Sequence, residues 1–116
     1  MRLRLPSRRA SSNYVIEFSG QQFAITVGFY PDGKPGEVFA NAGKTPQAVQ
    51  QIIADTCILI SIALQHGVPA EDLGKSLAYF DDGKPYTVIG AICTTLTTIH
   101  LGDENENNQT GGDSPR

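Results

Sequence analysis

The chain is 116 residues long with nine Lys and Arg against twelve Asp and Glu, which leaves room for one small, slightly acidic domain and excludes a second core. Its 40% apolar content is ordinary for a globular protein, and its longest unbroken apolar run, residues 57–60, is far below the ~20 residues a membrane span needs, so a soluble protein without a membrane partner is expected. Two cysteines, Cys57 and Cys93, and no signal-peptide pattern near Met1 speak against a disulfide-stapled secreted module and for a reducing cytoplasm.

Residues 1–12 carry Arg2, Arg4, Arg8 and Arg9 and no acid, and are expected to form a basic flexible arm. Tyr14, Ile16 and Phe18 then alternate with Val15, Glu17 and Ser19, and Phe23, Ile25, Val27 and Phe29 alternate with Ala24, Thr26, Gly28 and Tyr30. Period two with one apolar face predicts two half-buried strands. Residues 19–21 form a short hairpin loop, and Pro31-Asp-Gly-Lys-Pro-Gly36 supplies turn chemistry before a third strand over residues 37–40, giving an antiparallel meander.

Thr45 followed by Pro46 predicts a helix start, the hydroxyl capping free N–H groups and the proline taking the first helical position. Val49, Ile52, Ile53, Ile60, Ala63 and Leu64 hold one face, while Ile58, Leu59 and Ile62 make the second half apolar nearly all round, so that half is expected to be the most buried part of the protein. His66-Gly67 ends the helix, and residues 68–72 open a short second one with its acids at the positive dipole end and Leu73 and Leu77 facing inward. Asp82-Gly-Lys-Pro85 repeats the tetrapeptide at residues 32–35, a repeat that does not by itself establish a duplicated hairpin. Ile89, Ile92, Cys93, Leu96, Ile99 and His100 follow helical spacing, which outweighs the β propensity of the surrounding threonines and predicts a helix over residues 86–100. Residues 102–116 offer no aliphatic or aromatic side chain to bury and are expected to be a disordered acidic tail. The fold class is α+β: a small two-layer domain over residues 13–101, with a three-stranded antiparallel meander followed by three helices packed on one face.

Few residues suggest chemistry. The two cysteines sit on apolar helical stripes and read as core filler, and His66 and His100 read as helix-end packing. Thiol redox work needs two sulfurs within reach and a metal site three or four ligands, a supply this chain lacks. No nucleophile elbow or paired-carboxylate cleft is present, and Asp81 and Asp82 read as a solvated turn. Gly43-Lys44-Thr45 before a helix is a candidate anion site, although Val38 stands where the phosphate-loop signature requires glycine. Arg2, Arg4, Arg8 and Arg9 form a candidate nucleic-acid arm, but residues 13–101 hold four basic against eight acidic side chains, so nucleic acid is not the expected partner.

The segment Phe23-Ala-Ile-Thr-Val-Gly-Phe-Tyr-Pro-Asp-Gly-Lys-Pro-Gly-Glu-Val-Phe39, followed by Ile60-Ser-Ile-Ala-Leu-Gln-His-Gly-Val-Pro-Ala-Glu-Asp-Leu-Gly-Lys-Ser-Leu77, resembles the TSCPD domain, the C-terminal region of adenosylcobalamin-dependent (class II) ribonucleotide reductases. The resemblance spans residues 13–101 and implies a place in deoxyribonucleotide biosynthesis and DNA synthesis, with nucleotide binding in that setting. It does not transfer catalysis, because the radical cysteine and its reducing pair belong to a large barrel that 116 residues cannot build beside this sheet. Positions Gly28, Asp32, Gly33, Gly36, Gly43, Gly67 and Pro69 are kept, while the cysteine-bearing pattern that names the domain is missing. The resemblance therefore implies a free-standing, non-catalytic relative, an accessory or regulatory module that binds no cofactor itself, although the full-length enzymes use adenosylcobalamin. Its expected partner is a ribonucleotide reductase subunit, and an edge strand or the uncovered sheet face gives a route to a homo-oligomer. The alternatives are a small nucleotide- or nucleic-acid-binding protein of phage or mobile-element origin, and a missing part of a split reductase.

Overall fold

The computed structural model describes residues 1–41 and 43–99. β1 (Ser11–Phe18) and β2 (Gln21–Phe29) are joined by Ser19 and Gly20 alone, with φ of 54° and 78°. Left-handed conformations at both central residues match the twist of the flanking strands. Tyr14 lies opposite Ile25 and Ile16 opposite Phe23, and β3 (Pro35–Asn41) then pairs antiparallel with β2, placing Val38 opposite Val27. The sheet order is β1-β2-β3, as the alternation predicts. Phe23, Ile25, Val27, Phe29 and Val38 all point into the core.

The repeated tetrapeptide produces the same turn twice. Tyr30 N–H donates to the Lys34 carbonyl, Gly33 N–H to the Tyr30 carbonyl and Lys34 N–H to Asp32 Oδ1, each at 2.9 Å. Phe80, Gly83, Lys84 and Asp82 repeat those bonds at 2.8, 2.9 and 2.9 Å, with Gly33 and Gly83 at φ of 90° and 88°. The second copy is flanked only by the bridge between Tyr79 and Pro85, so the turn is duplicated and the hairpin is not.

α1 (Gln47–Gln65) differs from expectation at its start and on its surface. Pro46 is the N-cap residue and among the described residues no side chain caps the helix; Thr45 stands outside it with Oγ1 buried and without a partner among them. The Gln50 amide instead donates to the carbonyls of Gly43 and Thr45 at 3.0 and 2.9 Å, holding the entry loop. The second half of α1 is not the most buried part of the molecule: Ile58 and Leu59 are 52% and 66% exposed, whereas Ser61 and Gln65 are buried. The reason lies in what α1 covers. It packs along β3, the edge of the sheet, whose outward backbone groups need polar partners.

Those partners come from α1 at every fourth residue. Gln65 Nε2 donates to the Gly36 carbonyl at 2.9 Å, Val38 N–H donates to Ser61 Oγ at 2.9 Å, and the Ala40 N–H lies near enough to the Cys57 sulfur to favour its thiolate. Four helical residues rise about 6 Å and two strand residues about 6.6 Å, so positions 57, 61 and 65 keep step with 40, 38 and 36. By length and composition α1 could cross a membrane; here it closes a sheet edge.

α2 (Ala70–Leu73) is a single turn. Leu73 packs against the core, but Leu77 is 37% exposed, because the chain leaves the helix at Gly74 and the i+4 relationship between the two is lost. α3 (Val88–Thr98) is shorter than the predicted 86–100. Thr87 caps it by accepting from Gly90 N–H at 3.3 Å, and Tyr86 instead stacks on Phe80 with ring centroids 4.2 Å apart. Ile92, Cys93 and Leu96 are buried beside Ile53, Cys57, Ile60 and Leu64 of α1, so helices and sheet share one core in two layers. His100 and the predicted acidic tail lie outside the described residues.

Candidate functional site

At one end of the sheet the Tyr30–Lys34 turn, the end of α1, the Val68-Pro69 join and the end of α3 surround a cleft of about 910 Å³. Its polar lining includes Asp32, Lys34, His66, Glu71 and Thr97, a mixture of charges suited to a polar small molecule or a peptide segment. His66 is at the C-cap of α1, where its N–H contacts the carbonyls of Ile62 and Ala63 at 3.0 and 3.1 Å. Gly67, at φ of 89°, then reverses the chain.

Gln65 joins the cleft to the N-terminal residues. Its backbone carbonyl accepts from Leu3 N–H at 2.6 Å, its Oε1 accepts from Arg2 Nε at 2.7 Å, and its Nε2 reaches Gly36. Tyr30 O–H donates to the Leu3 carbonyl, and burial pushes its phenol above the ordinary range, opposed by nearby Arg2. Gly36 makes room for this contact: a Cβ there would lie 2.6 Å from the Tyr30 ring and 3.0 Å from Leu5.

The four arginines are divided. Arg9 Nε and Nη2 donate to Glu37 at 2.6 and 3.1 Å across Gly28, where a Cβ would lie 2.3 Å from the Glu37 carboxylate. Arg2 is held by Gln65, which leaves Arg4 and Arg8 outward, exposed in sequence positions that alternate with Leu3 and Leu5 only for Arg4. The anion-site candidates Gly43, Lys44 and Thr45 are close in the loop before α1, but Gly43 N–H is taken by Asn41 Oδ1 at 2.9 Å and Thr45 Oγ1 is buried. None of the three lines the cleft.

Cys57 and Cys93 are each 2% exposed. Burial first, then the neighbouring Cys93, pushes the Cys57 thiol up to about 11, against a lowering effect of the Ala40 N–H; burial also raises Cys93. Both sulfurs are therefore held as protonated thiols, the opposite of what a nucleophile or electron relay requires. Among the described residues no group of three His, Cys, Asp or Glu could hold a metal ion. Sequence reasoning missed Ser61 and Gln65; the signal was their polarity at i, i+4 on an otherwise apolar helix.

The chain is 39% identical over 70 residues to a vitamin B12-dependent ribonucleotide reductase of Rhodopirellula baltica, covering 60% of this chain and 7% of that protein. Those of Bradyrhizobium diazoefficiens and Agrobacterium fabrum are 31% and 30% identical, over 61% and 67% of this chain and 6% of each relative. No solved structure matches. The TSCPD domain family matches residues 2–102, taking in the N-terminal residues that dock on Gln65 and Glu37 as well as the sheet and helices, and the chain belongs to that family.

Proposed function

We propose that the chain is a non-catalytic accessory or regulatory module of deoxyribonucleotide synthesis that acts by binding a vitamin B12-dependent ribonucleotide reductase. One observation carries the reading: a domain shared with those enzymes has both described sulfurs packed at 2% exposure in its core, where they serve as small apolar filler rather than as a relay. The relatives are many times longer, since the matched segment is 6 to 7% of each, and their whole activity is not expected here. The mixed-charge cleft at the Tyr30 turn is the proposed contact, because it gathers groups from four parts of the fold. A nucleic-acid reading is weaker, as Arg2 and Arg9 are engaged within the chain.

Biolayer interferometry against an immobilised B12-dependent reductase, with a turnover assay in parallel, tests the reading. Saturable binding, weakened by Lys34→Glu and unaltered by Cys93→Ala, is expected. Absence of binding, or reductase activity lost with either thiol, overturns it.

A further inference from the structure

The last carbonyls of α1 need hydrogen-bond donors that the helix itself cannot supply. Those of Ile62, Ala63 and Leu64 receive them locally, from the N–H groups of His66, Val68 and Gly67. The Gln65 carbonyl is served from the other end of the sequence, by Leu3 N–H at 2.6 Å. α1 also has no basic residue in its last turn, and Arg2, bonded to Gln65 Oε1 at 2.7 Å, brings a cation to the negative end of the helix dipole. Tyr30 O–H takes the Leu3 carbonyl. Both backbone groups of Leu3 are thus engaged, together with the arginine before it, and main-chain capture of this kind is how receptor grooves hold extended peptides.

The segment is held as a ligand is held and not as core. Met1 and Leu3 line the cleft together with Asp32, Lys34 and Glu71, yet Leu3 is 67% exposed and Met1 is fully exposed, so little apolar surface leaves water when the segment docks. Its other anchor, the Arg9–Glu37 ion pair at 2.6 Å, lies at the surface, where solvent and salt weaken it. No residue of the segment belongs to the hydrophobic core, and it can leave without opening the fold.

We propose that residues 1–5 are a built-in ligand of this cleft, a strap occupying a site for an extended basic segment, and that a partner's segment of the same chemistry binds only by displacing it. The chemistry recognised is an arginine followed by a residue with a free backbone N–H, which excludes proline at the second of the two positions. This role rests on the cleft being a contact surface, and adds the kind of segment it takes and the element that blocks it. Tethering gives the strap an effective concentration on the order of millimolar, so an outside segment competes only once the strap is loosened.

Fluorescence anisotropy of a peptide with the sequence of residues 1–9, labelled at its carboxyl end, tests this on the full chain. No reductase is present, so the outcome is separate from that of the reductase titration. In Arg2→Ala/Leu3→Pro the strap loses its cation and its N–H while Tyr30 and Gln65 are untouched. Circular dichroism of this released variant should match wild type, because residues 1–10 hold no helix or strand. The peptide is expected to bind the released variant saturably and wild type at least about tenfold more weakly, since the tethered strap competes. Adding Tyr30→Phe, or placing proline at the third position of the peptide, should each weaken binding to the released variant about tenfold. A peptide that fails to bind the released variant, binds wild type equally well, or tolerates proline at its third position overturns the proposal.

Discussion

Val38 N–H donates to Ser61 Oγ at 2.9 Å, and the Ser61 hydroxyl donates in turn to the Cys57 carbonyl at 2.8 Å. A helix hydroxyl thus stands in for the next strand. Ser61→Ala leaves the Val38 N–H buried without a partner, at a cost of about 1–3 kcal/mol. The urea midpoint is expected to fall by that cost divided by the slope, the slope itself unchanged, and an unshifted midpoint would show that the bond contributes nothing net.

Gly36 holds the N-terminal residues by having no side chain. In Gly36→Ala the new methyl would sit 2.6 Å from the Tyr30 ring, so the ring must turn away from Leu3. Limited trypsinolysis followed by mass spectrometry is expected to show cleavage after Arg4 and Arg8 accelerated about tenfold, with Lys44 unaffected.

Alkaline pH reads the Cys57 environment. The folded thiol titrates at about 11 against an ordinary 9.0, so between those values the unfolded chain has lost a proton that the folded chain keeps. Stability from this group is complete below pH 9 and is lost as pH rises through 11. Wild type should lose on the order of 2 kcal/mol more than Cys57→Ala between pH 8.5 and 10.5, measured by urea denaturation at each pH. Parallel curves for the two proteins would contradict the assignment.

Thr45 gives the opposite sign. Its Oγ1 is buried with no partner among the described residues, so Thr45→Val removes a desolvated hydroxyl and keeps the shape. Thermal unfolding is expected to show a melting temperature equal to or higher than wild type, while a drop of several degrees would mean that the hydroxyl does cap α1.

Much of the sheet was legible because one face of it is buried: Tyr14, Ile16 and Phe18, then Phe23 to Phe29 at alternate positions, report a period of two that only a half-covered strand produces. The turns were legible for a local reason, since Asp-Gly-Lys-Pro carries its own hydrogen bonds and does so twice. The surface of α1 was not, because hydropathy measures what a residue leaves in water and says nothing about what it meets. Ser61 and Gln65 meet unpaired backbone and are buried, whereas Leu59 is left 66% exposed among the described residues. The cleft was invisible for a further reason: its lining is gathered from residues 1 to 99 by the fold, and no short motif spans that distance.

The three side chains that α1 lends to β3 also limit how this protein can misassemble. A fibril grows by adding strands to a bare lateral margin, and here one of the two margins is sealed by a helix that cannot leave without exposing Ile53, Ile60 and Leu64. Ordered aggregation in the native state is left with a single front, at β1.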